Sequence, residues 1–141
     1  MRVRPLALLL LAACVARGPA IVVRDAYGYQ PVLGDVGAVY FTVENRAGTA
    51  DTLTWAEVAG AGVAMIHEQV ADGDRVVMRH VGTLPLPAHA TVQLKPGRLH
   101  VMVEGFERSP LAGDTLLVTV HFARAGAVRV RAPVLAYGTE P

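Results

Sequence analysis

The feature that most constrains this chain is the rhythm of its turns. From Ile21 onward, Gly, Pro, Asp and Asn recur about 8 to 14 residues apart, between short runs rich in Val, Leu, Thr and Tyr. The runs "IVVRDAYGY", "VGAVYFTVEN", "TLTWAEVAG", "GVAMIHEQV", "RVVMRHV", "ATVQLKPG", "LHVMVEGF", "DTLLVTVHFA" and "AVRVRAPVLAY" follow one another in this way. No window sustains the 3.6-residue apolar period of a helix, and strands do not alternate with helices. The "ADGD" stretch between two such runs signals a hairpin, and a second hairpin is expected across Ala125-Gly126. In the run after that turn, Val128, Val130 and Ala132 alternate with Arg129 and Arg131, so one face is buried and the other solvated. The expectation is a single all-β domain, a sandwich with Greek-key connections. With 141 residues, 52% of them hydrophobic, the chain can bury a core without a disulfide framework.

The first segment stands outside that domain. "MRVRPLALLLLAACVARGPA" carries Arg2 and Arg4 and then an apolar run from Leu6 to Ala13, the pattern of a secretory signal and too short for a membrane-spanning helix. It ends in Leu11-Ala12-Ala13-Cys14, which resembles the bacterial lipobox. The expected organisation is a leader over 1–13, a lipidated Cys14 with a short tether over 14–20, the domain over 21–137 and a tail over 138–141. The protein is then exported to the periplasm and held at the membrane by lipid alone. Cys14 is the only cysteine, so lipidation leaves the domain without a disulfide, a thiol nucleophile or a thiolate ligand.

Charge and motifs exclude several classes of function. The formal net charge is +1, and the arginines are scattered, which argues against nucleic-acid binding. A nucleophile elbow, a P-loop, a GxGxxG turn and a full EF-hand loop are all absent, so no enzyme is expected. A monomer is expected.

Histidine and methionine carry the chemistry. Met65 and His67 are two apart and share a strand face, and so do His100 and Met102. Met78 lies across the "ADGD" hairpin from the Met65–His67 strand. Taken singly, Met78 and Met102 read as core filling and His100 as a structural histidine. His67, Met78, His100 and Met102 together form the spacing H-x10-M-x21-H-x-M. That spacing resembles the motif of the periplasmic copper chaperones called PCuAC. "AVYFTVEN", "MIHEQV", "LKPGRLHVMV" and "SPLAGDTLLVTVHF" are similar to segments of the same family, and the resemblance covers nearly all of Ile21 to Val134.

The resemblance implies a cupredoxin-like sandwich that binds Cu(I) through His67, Met78, His100 and Met102. It also implies a role in supplying the dinuclear copper centre of cytochrome c oxidase, with the oxidase copper subunit or its assembly factors as partners. The donor set agrees with that metal. Thioethers are soft and select Cu(I), imidazole suits copper, and a blue-copper centre would need a thiolate that the domain lacks. Met65 is an auxiliary thioether or, as expected, packing at the core or rim. His89 is expected to be solvated in a turn; His80 and His121 have no assignment. Arg98 stands where the family often has a second Gly after Lys-Pro-Gly, and with "YGTEP" as the last residues given, the second, His- and Met-rich Cu(II) site of some members is not expected. The alternatives are a copper-buffering protein with the same site and no dedicated recipient, or a β-sandwich whose His and Met only pack.

Overall fold

The computed structural model describes residues 18–32 and 34–141. The proposed leader and Cys14 therefore lie outside the described residues. Ten strands form among those described: β1 Ile21–Tyr29, β2 Gly37–Asn45, β3 Asp51–Val58, β4 Val63–Asp72, β5 Arg75–His80, β6 Leu84–Leu86, β7 Thr91–Leu94, β8 Leu99–Glu104, β9 Thr115–Phe122 and β10 Gly126–Leu135. Their order is β5-β4-β8-β2-β1-β10-β9-β3-β6, with β7 also paired to β2. The β5-β4-β8-β2-β1 half and the β10-β9-β3-β6 half are two sheets, joined where β1 runs parallel to β10 at Gly28–Val134 and Tyr29–Leu135. This parallel junction is the one departure from the antiparallel pairing expected of the strands. The two halves close over one core. Val39, Phe41, Val43, Ile66, Val101 and Val103 come from the first, and Leu53, Val118, Val120, Phe122 and Ala132 from the second. Each fully buried Val, Leu or Phe contributes roughly 1.5–3 kcal/mol of burial energy, so this shared cluster holds the halves together.

The turn chemistry sets the registers. Gly73 follows Asp72 with φ 61°, the glycine-first turn of a two-residue hairpin, and pairs Asp72 with Arg75. Gly126, at φ 78°, closes the β9–β10 hairpin, where the Asp51 carboxylate accepts the Arg124 and Ala125 backbone N–H groups. β6 was not foreseen. It is three residues long with Pro85 at its centre, a composition that sequence patterns read as loop, and it is tolerated because β6 is a terminal strand.

A bulge in β1 matters for function. Pairing with β2 slips between Arg24 and Tyr27, where Asp25 takes a left-handed φ of 55°. Before the slip Ile21 and Val23 face the core; after it Gly28 does. One extra residue inverts the alternation, so Tyr27 and Tyr29 emerge on the outer face, with Tyr27 opposite Tyr40.

Candidate metal centre

Three adjacent strands present one outward face. Residues paired across antiparallel strands share a face, so the registers define a small lattice. On β4 and β8, Met65 lies opposite Met102 and His67 opposite His100. The residues between them, Ile66 and Val101, pair inward into the core. On β5, His80 lies opposite His67 and Met78 opposite Gln69. On β2, Ala38 lies opposite Met102. The outward face therefore carries imidazoles and thioethers, while the inward face of β4 and β8 buries Ile66, Val101 and Val103.

Four of these side chains are the ligands expected from the sequence. His67 and His100 are buried, and their rings meet nearly edge to face at 6.0 Å between centroids. With metal–nitrogen bonds of about 2 Å, two imidazoles that share an ion sit roughly 5 to 6 Å apart, so the pair is spaced to flank one. Met78, His100 and Met102 line a single open pocket of about 260 Å³ with Tyr29, Tyr40 and Tyr137. Met78 is 56% exposed and Met102 half-buried on the face away from the core, so neither fills it. Met65 is on this face too, beside Met102 rather than in the core. Two larger clefts, lined by residues of β4, β7 and β8 and by residues 55–64, contain no imidazole or thioether.

The backbone prepares the histidines. Lys95-Pro96-Gly97-Arg98 forms a turn with the Arg98 N–H donating to the Lys95 carbonyl at 3.1 Å, Pro second and Gly97 at φ 76° in the third position. The turn aims the Arg98 carbonyl at His100, whose Nδ1 lies 3.0 Å away. A carbonyl can only accept, so Nδ1 carries the proton and Nε2 keeps a free lone pair for a ligand. Arg98 thus serves the site through its carbonyl, which any residue there would supply. His67 differs: its Nδ1 is buried and has no hydrogen-bond partner. An orphaned polar atom in a buried position costs about 1–3 kcal/mol unless something binds it.

The electrostatics favour a neutral His67 and a neutral Tyr40. Burial first, and then the neighbouring His100 and His80 rings, hold the His67 imidazole below its ordinary value, against a smaller upward pull from Glu104. Tyr40, whose ring lies 6.4 Å from His100, is pushed up to about 12 by burial and then by Tyr27, Tyr29 and Tyr137. It is a neutral phenol at physiological pH. Among the described residues, no three His, Cys, Asp or Glu side chains are grouped to hold an ion. The arrangement therefore lacks the hard or all-imidazole set that suits divalent ions, and the other soft donors on this face are thioethers.

The remaining histidines separate clearly. His89 is exposed in a turn at φ 57°. His121 stacks on Trp55 at 3.7 Å and lies 3.2 Å from Glu57. Glu68 points away from the site and pairs with Arg79. His80, unassigned from the sequence, belongs to the site face, with its ring 5.7 Å from that of His67. The signal was legible. A two-residue turn pairing Asp72 with Arg75 places His67 and His80 opposite each other five residues out on either side.

The fold is that of the PCuAC domains. The copper-bound PCuAC domain from PmoF2 superposes with a TM-score of 0.71 at 23% identity, over 83% of this chain and 93% of that one. The Cu(I) form of DR1885 from Deinococcus radiodurans, solved in solution, superposes with a TM-score of 0.68 at 26% identity, over 87% of this chain and 83% of that one. The apo PCuAC domain from PmoF1 gives 0.69 at 24% identity, over 83% and 94%. No curated protein matches the chain. Residues 21–134 match the family described as "Putative lipoprotein LpqE-like". The chain belongs to that LpqE-like family.

Proposed function

We propose that the protein binds one Cu(I) ion through His67, Met78, His100 and Met102 and passes it to a partner by ligand exchange. The observation that carries this reading is the His67–His100 pair. It comprises two buried imidazoles at ion-sharing distance, one with its tautomer set by a backbone carbonyl and the other with an unpartnered nitrogen. Met102 and Met78 supply soft donors at the pocket His100 lines. Two imidazoles and two thioethers are uncharged, so bound Cu(I) would leave one positive charge and a divalent ion two. The copper-bound and Cu(I) forms of two structural neighbours support the choice of metal.

The protein acts, on this reading, as an exported carrier and not as an enzyme. The family description and the Leu11-Ala12-Ala13-Cys14 sequence support export and lipid attachment at Cys14. The dinuclear copper centre of cytochrome c oxidase is the proposed recipient. Competition with a chromophoric Cu(I) chelator tests the binding, and the expected result is one tightly held ion per chain. The absence of such binding would overturn the reading. Loaded protein mixed with the apo copper domain of the oxidase tests delivery, and retention of copper at matched affinities would favour buffering.

A further inference from the structure

Three imidazoles lie in one row across β5, β4 and β8. His80 pairs with His67 and His67 with His100, all on the outward face. The His67 ring meets its two neighbours at nearly the same distance and angle, 5.7 Å and 88° to His80 and 6.0 Å and 83° to His100. Each pair is spaced to share an ion through bonds of about 2 Å. The three rings nevertheless do not gather round one point, since among the described residues no three such groups are placed to hold a metal together. The row is thus two adjoining seats with His67 common to both.

The seats differ in exposure. His100 is 5% and His67 9% exposed, whereas His80 lies on β5, a terminal strand whose six residues are all exposed. Met78 stands two residues before His80 on the same strand face and is 56% exposed. Nothing in the four-ligand site requires His80. Yet the hairpin register places it beside the one buried imidazole whose Nδ1 has no partner.

We propose that His67 and His80 form an outer seat for the same Cu(I) ion, from which it passes to the His67–His100 seat by exchanging one imidazole for the other without leaving His67. The proposal rests on the Cu(I)-binding reading. The step is a ligand substitution. On loading, one metal–nitrogen bond forms at His100 as the bond to His80 breaks; on release the same exchange runs in reverse, and the ion stays Cu(I) throughout. Its effect is kinetic. Full dissociation would place nearly the whole binding energy in the barrier, whereas exchange of one donor at a time divides it, and each 1.36 kcal/mol removed speeds release tenfold. His80 is then a transient ligand for transfer at the sheet edge, beside the exposed Met78.

The test compares wild-type protein with His80→Asn, both loaded with Cu(I). The readouts are the equilibrium affinity and the rate of copper transfer to bicinchoninate. The expected result is an affinity within about threefold of wild type and a transfer rate at least about tenfold slower. His80→Met, which restores a soft donor, should recover the rate. Substoichiometric Cu(I) should also broaden the His80 imidazole resonances as the ion samples the outer seat. An unchanged transfer rate in His80→Asn would overturn the relay alone. A loss of affinity as large as the loss of rate would make His80 a resident ligand, and the two seats would be wrong. Wild-type protein that binds no Cu(I) would instead overturn the reading on which the proposal rests.

Discussion

His67 and His121 both sit on strands, on the outer face of a sheet, and both contact other ring side chains. The fold treats them in opposite ways. His121 is engaged by its neighbours, stacked flat on Trp55 with an interplanar angle of 3° and with Nε2 3.2 Å from Glu57. His67 is more deeply buried and less engaged, with Nδ1 lacking any partner and two further imidazoles at its edges. A histidine kept for structure is saturated by its neighbours. A histidine kept for a ligand is desolvated, held neutral and left open, and its cost is recovered only when the ligand arrives.

The sharpest way to break this comparison is to remove each ring in turn. His67→Ala should weaken Cu(I) binding by more than about 100-fold, since even outer-shell partners of metal ligands are worth 10–100-fold. Its apo stability should fall only by the packing the ring supplies, with no hydrogen-bond loss at the buried Nδ1, which has no partner. Competition titration and thermal unfolding of the same sample measure both. Strong destabilisation with unchanged copper affinity would reverse the roles assigned to the two histidines.

The engaged class has a second member at the opposite end of the sandwich. Burial pushes the Asp51 carboxyl up, but backbone N–H groups of Thr52, Arg124 and Ala125 hold it more strongly, and the net direction is down. Asp51→Ala leaves these donors without their acceptor and should cost about 2 kcal/mol. The sign with pH follows. The carboxyl binds its proton less readily folded than unfolded, so its stabilisation is present above the usual carboxylate value and is lost as pH falls through the lower folded value. Denaturation at pH 5 and at pH 3 should therefore show a drop in wild type that is smaller in Asp51→Asn. Equal drops would remove Asp51 as its source.

Met102→Leu sharpens the comparison on the open side. The side chain is half-buried on the site face, and Leu matches its volume and apolarity, so stability should change by less than about 1.5 kcal/mol. Cu(I) affinity should fall about tenfold, or about 1.4 kcal/mol, because one soft donor is gone. Unchanged affinity would return Met102 to packing, the role it has when read alone.

How far the sequence revealed this contrast depends on the range of the pairing. Nine runs read as strands do form strands, because period-two alternation and turn residues are local signals. The Met65–His67, His100–Met102 and "ADGD" relations were local too, and they gave the site face. The β4–β8 pairing that sets His67 against His100 joins residues far apart in the chain, and no local pattern encodes it; the resemblance of the spacing implies a shared ligand set but no strand pairing. The β1 bulge was invisible for another reason. Tyr27 and Tyr29 suit either face, so the inversion of alternation at Asp25 left no mark in the hydrophobic pattern. His121 could not be classified because its partners Trp55 and Glu57 lie on β3, which pairs with β9 only in the folded sheet.

His121→Ala gives the smallest effect and isolates the engaged class most cleanly. The stack on Trp55 is worth roughly 0.5–1.5 kcal/mol beyond its area. The bond to Glu57 adds little, because that carboxylate is 53% exposed and solvent competes for it. A destabilisation of about 1 kcal/mol is expected, with a change in Trp55 fluorescence as the indole loses its covering ring. Cu(I) affinity and transfer rate should both stay at wild-type values, because β9 belongs to the other sheet and His121 faces away from the shared core. A change in either copper measurement would mean that the two outer faces communicate through the core, and that partnering alone does not separate a structural histidine from a ligand.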